Sequence, residues 1–302
     1  MINGFVNVYK ETDFTSHDVV AVLRGIFRQK KIGHTGTLDP MAEGVLPICL
    51  GKATRAAELL SDKEKTYVTR MLLGKETDTQ DITGEVVAEV PKSKVLALKE
   101  EEIRLKAEEF LGPQKQIPPM YSAKKINGKR LYELAREGKV VERKACDITV
   151  FELKVLKIER PYVDMEITCS AGTYIRTICH DLGRRLGVGG CMTELTRTRV
   201  STFTAEKAYT LDELRQMKEE GKLLAAVEPV DSAFMNLSGA KASKDADGIL
   251  HNGGKVQIQR LDLTGIRPGR IRVYDSENEF MGIYYLEGDY YRPCKFFYEV
   301  KQ

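Results

Sequence analysis

The stretch from Lys31 to Cys49, KIGHTGTLDPMAEGVLPIC, constrains this chain more than any other part of it. Two glycines three positions apart allow a tight turn and the close approach of another molecule to the backbone. Pro40 fixes its own φ and biases Asp39 towards an extended conformation. The apolar run that follows, Val45–Leu50, is typical of a buried strand. The pattern therefore predicts a stiff loop that is anchored by a strand and presents one carboxylate.

An Asp-Pro pair also has a structural interpretation, because Asp is a common helix N-cap and Pro a common first helical residue. Gly44 and Pro47 follow too closely for a long helix to begin at Asp39, so the cap and the presented carboxylate remain alternatives. A phosphate-binding loop is excluded. Leu46 stands where that motif needs Gly, and Ala53 replaces its metal-binding Ser or Thr.

Composition limits the class of protein. The 302 residues, 42% of them hydrophobic, are enough for one large domain and a small one. No run of eighteen apolar residues predicts a membrane span, and Met1–Phe5 lacks the pattern of a secretory signal. The six cysteines include no C-x-x-C pair, so we expect reduced thiols in a cytoplasmic protein, without a disulfide framework or a metal site.

Charge is concentrated in one segment, residues 115–144. Nine Lys or Arg and three Glu give this segment a charge of +6, which leaves −3 for the rest of the chain. Gln116–Ala123 contains two prolines and should be extended, and Tyr121 and Tyr132 are interleaved with the basic side chains. Such a segment favours a protruding contact with nucleic acid. A solvated surface hairpin is the alternative, and charge alone does not decide between them.

Periodicity predicts alternating strands and helices in the first 230 residues. The clearest strand is Val163–Cys169, and it leads into a helix that Thr173 would cap and Gly187 would stop. Arg176 then lies in the first helical turn, where a cation opposes the helix dipole. We therefore expect Arg176 to have an anionic partner, either a phosphate or a carboxylate such as Asp39.

After about Pro229 the pattern changes to short β-rich runs separated by Gly and Asp. This predicts a small all-β barrel at residues 231–302, following a larger domain at residues 1–230. The expected class is α+β.

Four motifs together resemble those of the TruB family, bacterial tRNA pseudouridine synthases that act on the T-loop uridine at tRNA position 55. They are Lys31–Pro40, Lys65–Tyr67, Pro118–Ala123 and Gly172–Arg176. The resemblance covers residues 1 to about 230, and the tail resembles a PUA domain. It implies a mixed, mainly antiparallel central sheet with flanking helices and the active cleft across its middle. It also implies tRNA as the partner, a monomer, and no cofactor or metal.

The resemblance implies a role for each candidate residue. Asp39 would be the catalytic residue, kept ionised by Arg176. A base inside the T loop must be flipped out to be reached, and His34 would fill the vacated stack. Tyr67 would offer its ring to the flipped uracil and its hydroxyl for proton transfer. Tyr174, Asp81 and Leu195 would line the site. Without the family, His34 could be a structural loop residue, Tyr67 an ordinary strand aromatic, and Leu195 plain core.

Two other classes of function remain possible on this sequence. One is a non-catalytic RNA chaperone or assembly factor, against which the intact Asp39, Tyr67 and Arg176 argue. The other is a guide-dependent synthase subunit, against which the basic segment argues, since that segment could grip tRNA directly. The sequence also leaves open whether Asp39 attacks the base or the sugar.

Overall fold

The computed structural model of the chain describes residues 1–61, 63–126 and 128–299. Within these residues the chain forms a nine-stranded sheet flanked by helices, followed by a separate five-stranded sheet that curls into a half-barrel. The α+β class predicted from the sequence is confirmed.

The strands before residue 205 are β1 Gly4–Lys10, β2 Ile32–His34, β3 Glu43–Leu50, β4 Lys65–Leu73, β5 Lys75–Thr77, β6 Val86–Glu89, β7 Gly112–Gln116, β8 Lys125–Ile126, β9 Lys129–Arg130, β10 Cys146–Glu159, β11 Tyr162–Cys169, β12 Gly190–Val200 and β13 Phe203–Thr204. The later strands are β14 Gly239–Lys241, β15 Val256–Gln257, β16 Arg270–Tyr274, β17 Phe280–Glu287 and β18 Tyr290–Phe296.

The α-helices are α1 Ser16–Phe27, α2 Ala57–Ser61, α3 Lys92–Ala97, α4 Glu100–Glu108, α5 Leu131–Arg136, α6 Ile175–Arg185, α7 Leu211–Glu219 and α8 Asp247–His251. Shorter 3-10 turns lie at Gly51–Ala56, Ala205–Lys207, Leu223–Ala226, Val230–Phe234, Lys244–Ala246 and Ile258–Arg260.

The large sheet has the order β1-β3-β12-β4-β11-β10-β7, with β2 paired to β3 and β13 to β12. Its described pairs are antiparallel except β3 with β12, which run parallel. Strands β12 and β4 are therefore central, and the loop between β2 and β3 opens beside them. The expectation of a mixed, mainly antiparallel sheet is confirmed.

Alternating side chains explain why the sheet forms where it does. In β11 the side chains of Val163, Met165 and Ile167 are buried, whereas Asp164 and Glu166 between them are not. The buried set packs under α6, which contributes Ile175, Ile178 and Leu182 to the same cluster. A second cluster lies between α1, α7 and strands β1 and β3. These two clusters hold the helices against the sheet around the β2–β3 loop.

Some local predictions need correction. The sequence favours a helix over residues 54–60, but the chain there forms a 3-10 turn at Gly51–Ala56 followed by α2, and no sequence pattern identified α3. The N-cap of α6 is Tyr174, without a side-chain hydrogen bond, rather than Thr173. Arg176 nevertheless lies in the first turn of α6, as predicted. The pair Asn127-Gly128 also predicts a turn in the basic segment, and Asn127 lies outside the described residues.

The C-terminal half-barrel shares a hydrophobic cluster with the large sheet. Ile283 and Phe297 pack in one cluster with Phe5 and Phe203, and Phe234 belongs to the same cluster. The boundary at residue 231 stays a prediction. Because Phe234 packs with residues of the large sheet and β14 begins at Gly239, we propose residues 237–238 as the point at which the units can be separated.

Truncation after residue 237 should leave a folded but weakened N-terminal unit. Its other two clusters lie wholly before this point, whereas removing Ile283 and Phe297 should lower the free energy of unfolding by roughly 3–6 kcal/mol. Urea denaturation followed by circular dichroism measures this loss. In the full chain, Phe297→Ala should destabilise and the exposed Ile249→Ala should not. An unfolded truncated chain would show that the units are not separable.

Candidate active site

Asp39 lies in the loop between β2 and β3, and this loop is tied down on both sides of the carboxylate. The Thr35 amide donates to the Pro47 carbonyl at 3.2 Å, and the Leu38 amide donates to the Ser16 hydroxyl at 2.9 Å. The Asp39 carbonyl accepts from the Ala42 amide at 3.0 Å in a turn, and no helix begins there. Of the two interpretations that the sequence left open, the presented carboxylate therefore applies and the helix cap does not.

Two buried cations hold the backbone of the Asp39 loop. Arg197 donates to the carbonyls of Gly36, Thr37 and Val45 at 3.2, 3.5 and 2.8 Å. Lys10 donates to the Pro40 carbonyl at 3.2 Å, on the other side of Asp39, and to two further carbonyls. Burial lowers the pKa of Lys10 to about 8.

Sequence analysis missed both of these cations as site residues. Lys10 continues the buried face of β1 set by Val6 and Val8, and Arg197 continues the buried face of β12 set by Leu195. A cation at a buried position of an alternating strand is the signal that could have found them, because it needs polar partners inside the protein.

Arg176 joins Asp39 to a second carboxylate. Its Nε lies 3.1 Å from Asp39 Oδ2, and its Nη1 lies 3.2 Å from Asp81 Oδ2. Its Nη2 donates to the Tyr121 carbonyl at 2.9 Å. Only 5% of Arg176 is exposed. The expectation that this cation pairs with an anion is met by carboxylates, and Asp39 is one of them.

Asp81 is held rigidly in the turn after β5. Its Oδ1 accepts from the Thr83 hydroxyl at 2.6 Å, the Thr83 amide at 3.0 Å and the Thr79 hydroxyl at 2.9 Å. Its other oxygen is left to face Arg176. The contact with Asp81 thereby fixes the orientation of the Arg176 guanidinium, whose Nε is directed at Asp39.

The pKa of Asp39 reflects opposing influences. Burial raises it, Arg176 lowers it, and the neighbouring Asp81 raises it again. The side chain is 39% exposed, and it lines a cavity whose walls include Leu38, Tyr67 and Leu195. Desolvation therefore acts on Asp39 in spite of its access, and the balance is a pKa above the ordinary value for a carboxyl.

A cavity of about 250 Å³ opens over Asp39. Its lining brings together five of the seven candidate residues: Asp39, Tyr67, Tyr174, Arg176 and Leu195. The two residues that the basic segment contributes are Ser122 and Ala123, and Arg197 forms part of the wall. The cavity can therefore present a carboxylate, a phenol and two guanidinium groups to one small planar group.

His34 does not line that cavity. It ends β2, two residues before Gly36 in the sequence, and its ring meets that of His17 edge-on at 5.4 Å. Burial and the neighbouring charges lower the pKa of His34, which favours the neutral imidazole, and its buried Nδ1 has no hydrogen-bond partner among the described residues. His17 lines a larger groove of about 910 Å³, which shares Asp39 and Arg176 with the cavity.

Tyr67 lies on β4 directly opposite Arg197 of β12, and 8% of it is exposed. Its hydroxyl interacts with the guanidinium. Burial raises the pKa of Tyr67 to about 12, and Arg197 opposes that rise. The phenol is therefore a weak acid whose ionised form has a cation beside it.

The basic segment forms a small hairpin, β8 and β9, followed by α5. Tyr132 lies between two arginines, with Arg130 and Arg136 at 5.7 and 5.5 Å from its ring centre. Tyr132 and Arg136 both line the larger groove. Near its start, this segment contacts Arg176, because the Tyr121 carbonyl accepts a hydrogen bond from the guanidinium.

Among the described residues, no group of three or more His, Cys, Asp or Glu side chains is arranged to hold a metal ion. Within the described part of the chain, no helix is both long enough and apolar enough to cross a membrane.

Family models match most of the chain. One described as TruB family pseudouridylate synthase, N-terminal domain, matches residues 24–175. One described as tRNA pseudouridylate synthase B, C-terminal domain, matches residues 176–235.

Similar curated proteins carry the name tRNA pseudouridine synthase B. The one from Lachnoclostridium phytofermentans is 44% identical, over 98% of this chain and 100% of its own length. The one from Clostridium tetani is 43% identical, over 93% of this chain and 95% of its own length.

Solved structures with this fold are more distant in sequence. A chain of an H/ACA ribonucleoprotein bound to a substrate RNA containing 2′-deoxyuridine is 26% identical, with a TM-score of 0.73. The match covers 98% of this chain and 85% of that chain. A chain of an archaeal box H/ACA complex is also 26% identical, with a TM-score of 0.71 and coverage of 97% and 86%.

Arg176→Ala should raise the pKa of Asp39 and lower the free energy of unfolding by about 3–5 kcal/mol, because it leaves two neighbouring carboxylates without their cation. A carboxyl whose folded pKa is raised is destabilising once the unfolded chain ionises. The loss should therefore be smaller below the ordinary carboxyl pKa and grow as the pH rises through it. Carbon-13 NMR titration and urea denaturation measure the two effects.

Arg184→Ala is the matched control on the same helix. Arg184 pairs with Glu76 and its side chain is 61% exposed, so its loss should cost at most about 1 kcal/mol. Arg176→Lys should rescue only in part, because an ammonium cannot reproduce the guanidinium's planar set of bonds. An unchanged Asp39 titration in Arg176→Ala would contradict the coupling.

Proposed function

Because the chain belongs to the TruB family of pseudouridylate synthases, we propose that it converts uridine to pseudouridine in tRNA, at position 55 of the T loop. The reaction is an isomerisation. The bond between N1 of the base and C1′ of the ribose breaks, a bond between C5 and C1′ forms, and one proton leaves C5 while one joins N1. Atoms and electrons balance without an oxidant, a reductant or a second substrate.

The observation that carries the proposal is the pair formed by Asp39 and Arg176 in the wall of a cavity that a single base could enter. Asp39 must be ionised to act as a nucleophile or to stabilise a cleaved intermediate. Arg176 favours that form against the desolvation of the cleft. The support is equal for attack of the carboxylate at the base and at the sugar.

Tyr67, Tyr174 and Leu195 provide the surroundings that the base needs. All three line the cavity, so the rings and the leucine can contact the faces of a planar uracil. The hydroxyl of Tyr67 also offers a site for proton transfer. We assign to Tyr67 both a binding and a proton-transfer role, and to Tyr174 and Leu195 a binding role.

Access to a uridine in the T loop requires base flipping, because the target is otherwise stacked or paired. The cavity is the proposed receptacle for the flipped base. His34 lies outside the cavity, before Gly36 in the chain and against His17. This position suits a side chain that occupies the place the base has left. Its favoured neutral form supports stacking, because a neutral imidazole loses less solvation on burial.

The basic segment is the proposed grip on the RNA backbone. Lys125, Lys129 and Arg130 are not buried, and the Tyr132 ring, with two arginines within 6 Å of its centre, supplies an aromatic group for stacking on a base. Tyr121 meanwhile contacts Arg176 through its carbonyl. An RNA held by this segment would therefore lie directly over the cavity.

Two alternatives are less well supported. A chaperone without catalysis would not need Arg176 and two carboxylates in a cavity wall. A guide-dependent subunit is suggested by the H/ACA structures, but those are 26% identical, whereas the tRNA pseudouridine synthases B are 43–44% identical. We further propose that the protein acts as a monomer in the cytoplasm, to which its free cysteines are suited.

Incubation of the purified protein with unmodified tRNA transcripts, followed by mapping of pseudouridine, tests the proposal. The expected product is pseudouridine at position 55 without added guide RNA. Asp39→Asn should abolish it and leave tRNA affinity nearly intact, because binding is spread over many phosphate contacts. Asp181→Asn, at a carboxylate on α6 that lies outside both cavities and is 45% exposed, is the matched control and should stay active. Near-normal turnover in Asp39→Asn would contradict the assignment.

Neutralising the basic segment should weaken tRNA binding and flatten its salt dependence. A triple variant, Lys125→Gln, Lys129→Gln and Arg130→Gln, removes three charges and should reduce the slope of log affinity against log salt by about 2–3. Fluorescence anisotropy at several salt concentrations measures the slope. Lys92→Gln, Lys94→Gln and Lys99→Gln, at exposed positions outside both cavities, form the control. An unchanged slope in the first variant would identify the segment as a surface hairpin only.

A further inference from the structure

Arg197 has the largest wholly buried side chain among the described residues, with 1% of it exposed. It lies in the central strand β12, where sequence alternation calls for an apolar residue. A guanidinium in such a place is costly, because it loses its hydration. The Asp39–Arg176 pair does not account for that cost.

The hydrogen bonds of Arg197 differ in kind from those of Arg176. Its three backbone acceptors are neutral carbonyl oxygens, those of Gly36, Thr37 and Val45. Among the described residues no carboxylate forms an ion pair with it, whereas Arg176 has two. Arg197 therefore keeps a positive charge that no ion pair neutralises, inside the wall of the substrate cavity.

The group that faces this charge is the Tyr67 hydroxyl. The two residues are opposite one another in the β4–β12 pairing, and the guanidinium interacts with the phenol oxygen. The other ionisable groups that act on Tyr67 are Cys169, from the end of β11, and Asp39, from the loop. Both disfavour a phenolate, and Arg197 favours it, so the guanidinium is the group that stabilises negative charge on this oxygen.

We propose that Arg197 is a positioning residue that stabilises the Tyr67 phenolate and holds the phenolate oxygen at a fixed position relative to Asp39. This rests on the proposed function. A phenol can accept a proton only after it has released its own. If the proton of Tyr67 goes to N1 and the proton of C5 goes to the phenolate oxygen, tyrosine is restored and no further reactant is needed. The fixed cation lowers the cost of the charged form that lies between the two transfers.

The same guanidinium ties Tyr67 to the Asp39 loop. It binds the carbonyls of Gly36 and Thr37, two and three residues before Asp39. One planar group thereby sets the distance between the proton-transfer oxygen and the carboxylate. Lysine cannot replace it fully, because one ammonium cannot reach all these oxygens in the same geometry.

Fluorinated tyrosine at position 67 distinguishes two roles of Arg197: stabilising the Tyr67 phenolate and supporting the Asp39 loop. Fluorine lowers the pKa of a phenol with little change in size, so it can substitute for the missing cation. Arg197→Met should slow single-turnover pseudouridine formation by about 100-fold or more. The rate of the variant should also rise over a higher pH range than the rate of the parent does. 3,5-Difluorotyrosine at position 67 should recover about tenfold or more of that loss. If fluorination changes the single-turnover rates of the parent and the variant by the same factor, Arg197 only supports the Asp39 loop.

A second measurement does not depend on activity or on the Met variant. Fluorine-19 NMR of 3-fluorotyrosine at position 67 reports its titration directly, and Arg197→Lys should move that titration to higher pH. Arg199→Lys, two residues along the same strand and paired with Glu64, is the matched control and should not move it. An unshifted titration in Arg197→Lys overturns the proposal. Failure of the unsubstituted protein to form pseudouridine would instead refute the proposed function, and the titration would still decide whether Arg197 and Tyr67 are coupled.

Discussion

The contact on which the candidate site depends is the one between Arg176 and its two carboxylates. Asp81 is locked by threonines and orients the guanidinium, which in turn holds Asp39. A cation in the first turn of α6 is unfavourable by itself, and the paired carboxylates offset that cost. The geometry of the cleft is thus set by electrostatic contacts between three segments that are far apart in the sequence. They are the Asp39 loop, the turn that carries Asp81, and α6.

The basic segment contacts the cleft through the Gln116 side chain, which hydrogen-bonds to the Tyr174 backbone, and through the Tyr121 carbonyl. The Tyr121 carbonyl accepts from Arg176, so the part of the chain that would grip RNA also completes the coordination of the central cation. Binding and catalysis would be coupled here through position, because an RNA that displaced Tyr121 would leave Arg176 with one acceptor fewer. The C-terminal half-barrel is connected differently, through the apolar contacts of Phe297 and Ile283.

Buried cations form a second framework under the Asp39 loop. Arg197 and Lys10 bind carbonyls before and after Asp39, and they let a loop without helix or strand hold one conformation. Their use is consistent with the chemistry, because a cleft that develops negative charge benefits from fixed positive groups nearby. The cost is desolvation, which lowers the pKa of both side chains.

The sequence by itself determined the α+β class, the strand β11, and the helix α6 with Arg176 in its first turn. These follow from local patterns, alternation and turn residues, which act over a few positions. Only the tertiary structure decided that Asp81 shares Arg176, that Arg197 faces Tyr67, and that His34 lies outside the cavity. Such pairings join residues about 100 positions apart or more, or depend on which side of a turn a ring occupies. They are decided by strand order and packing, which no local pattern contains.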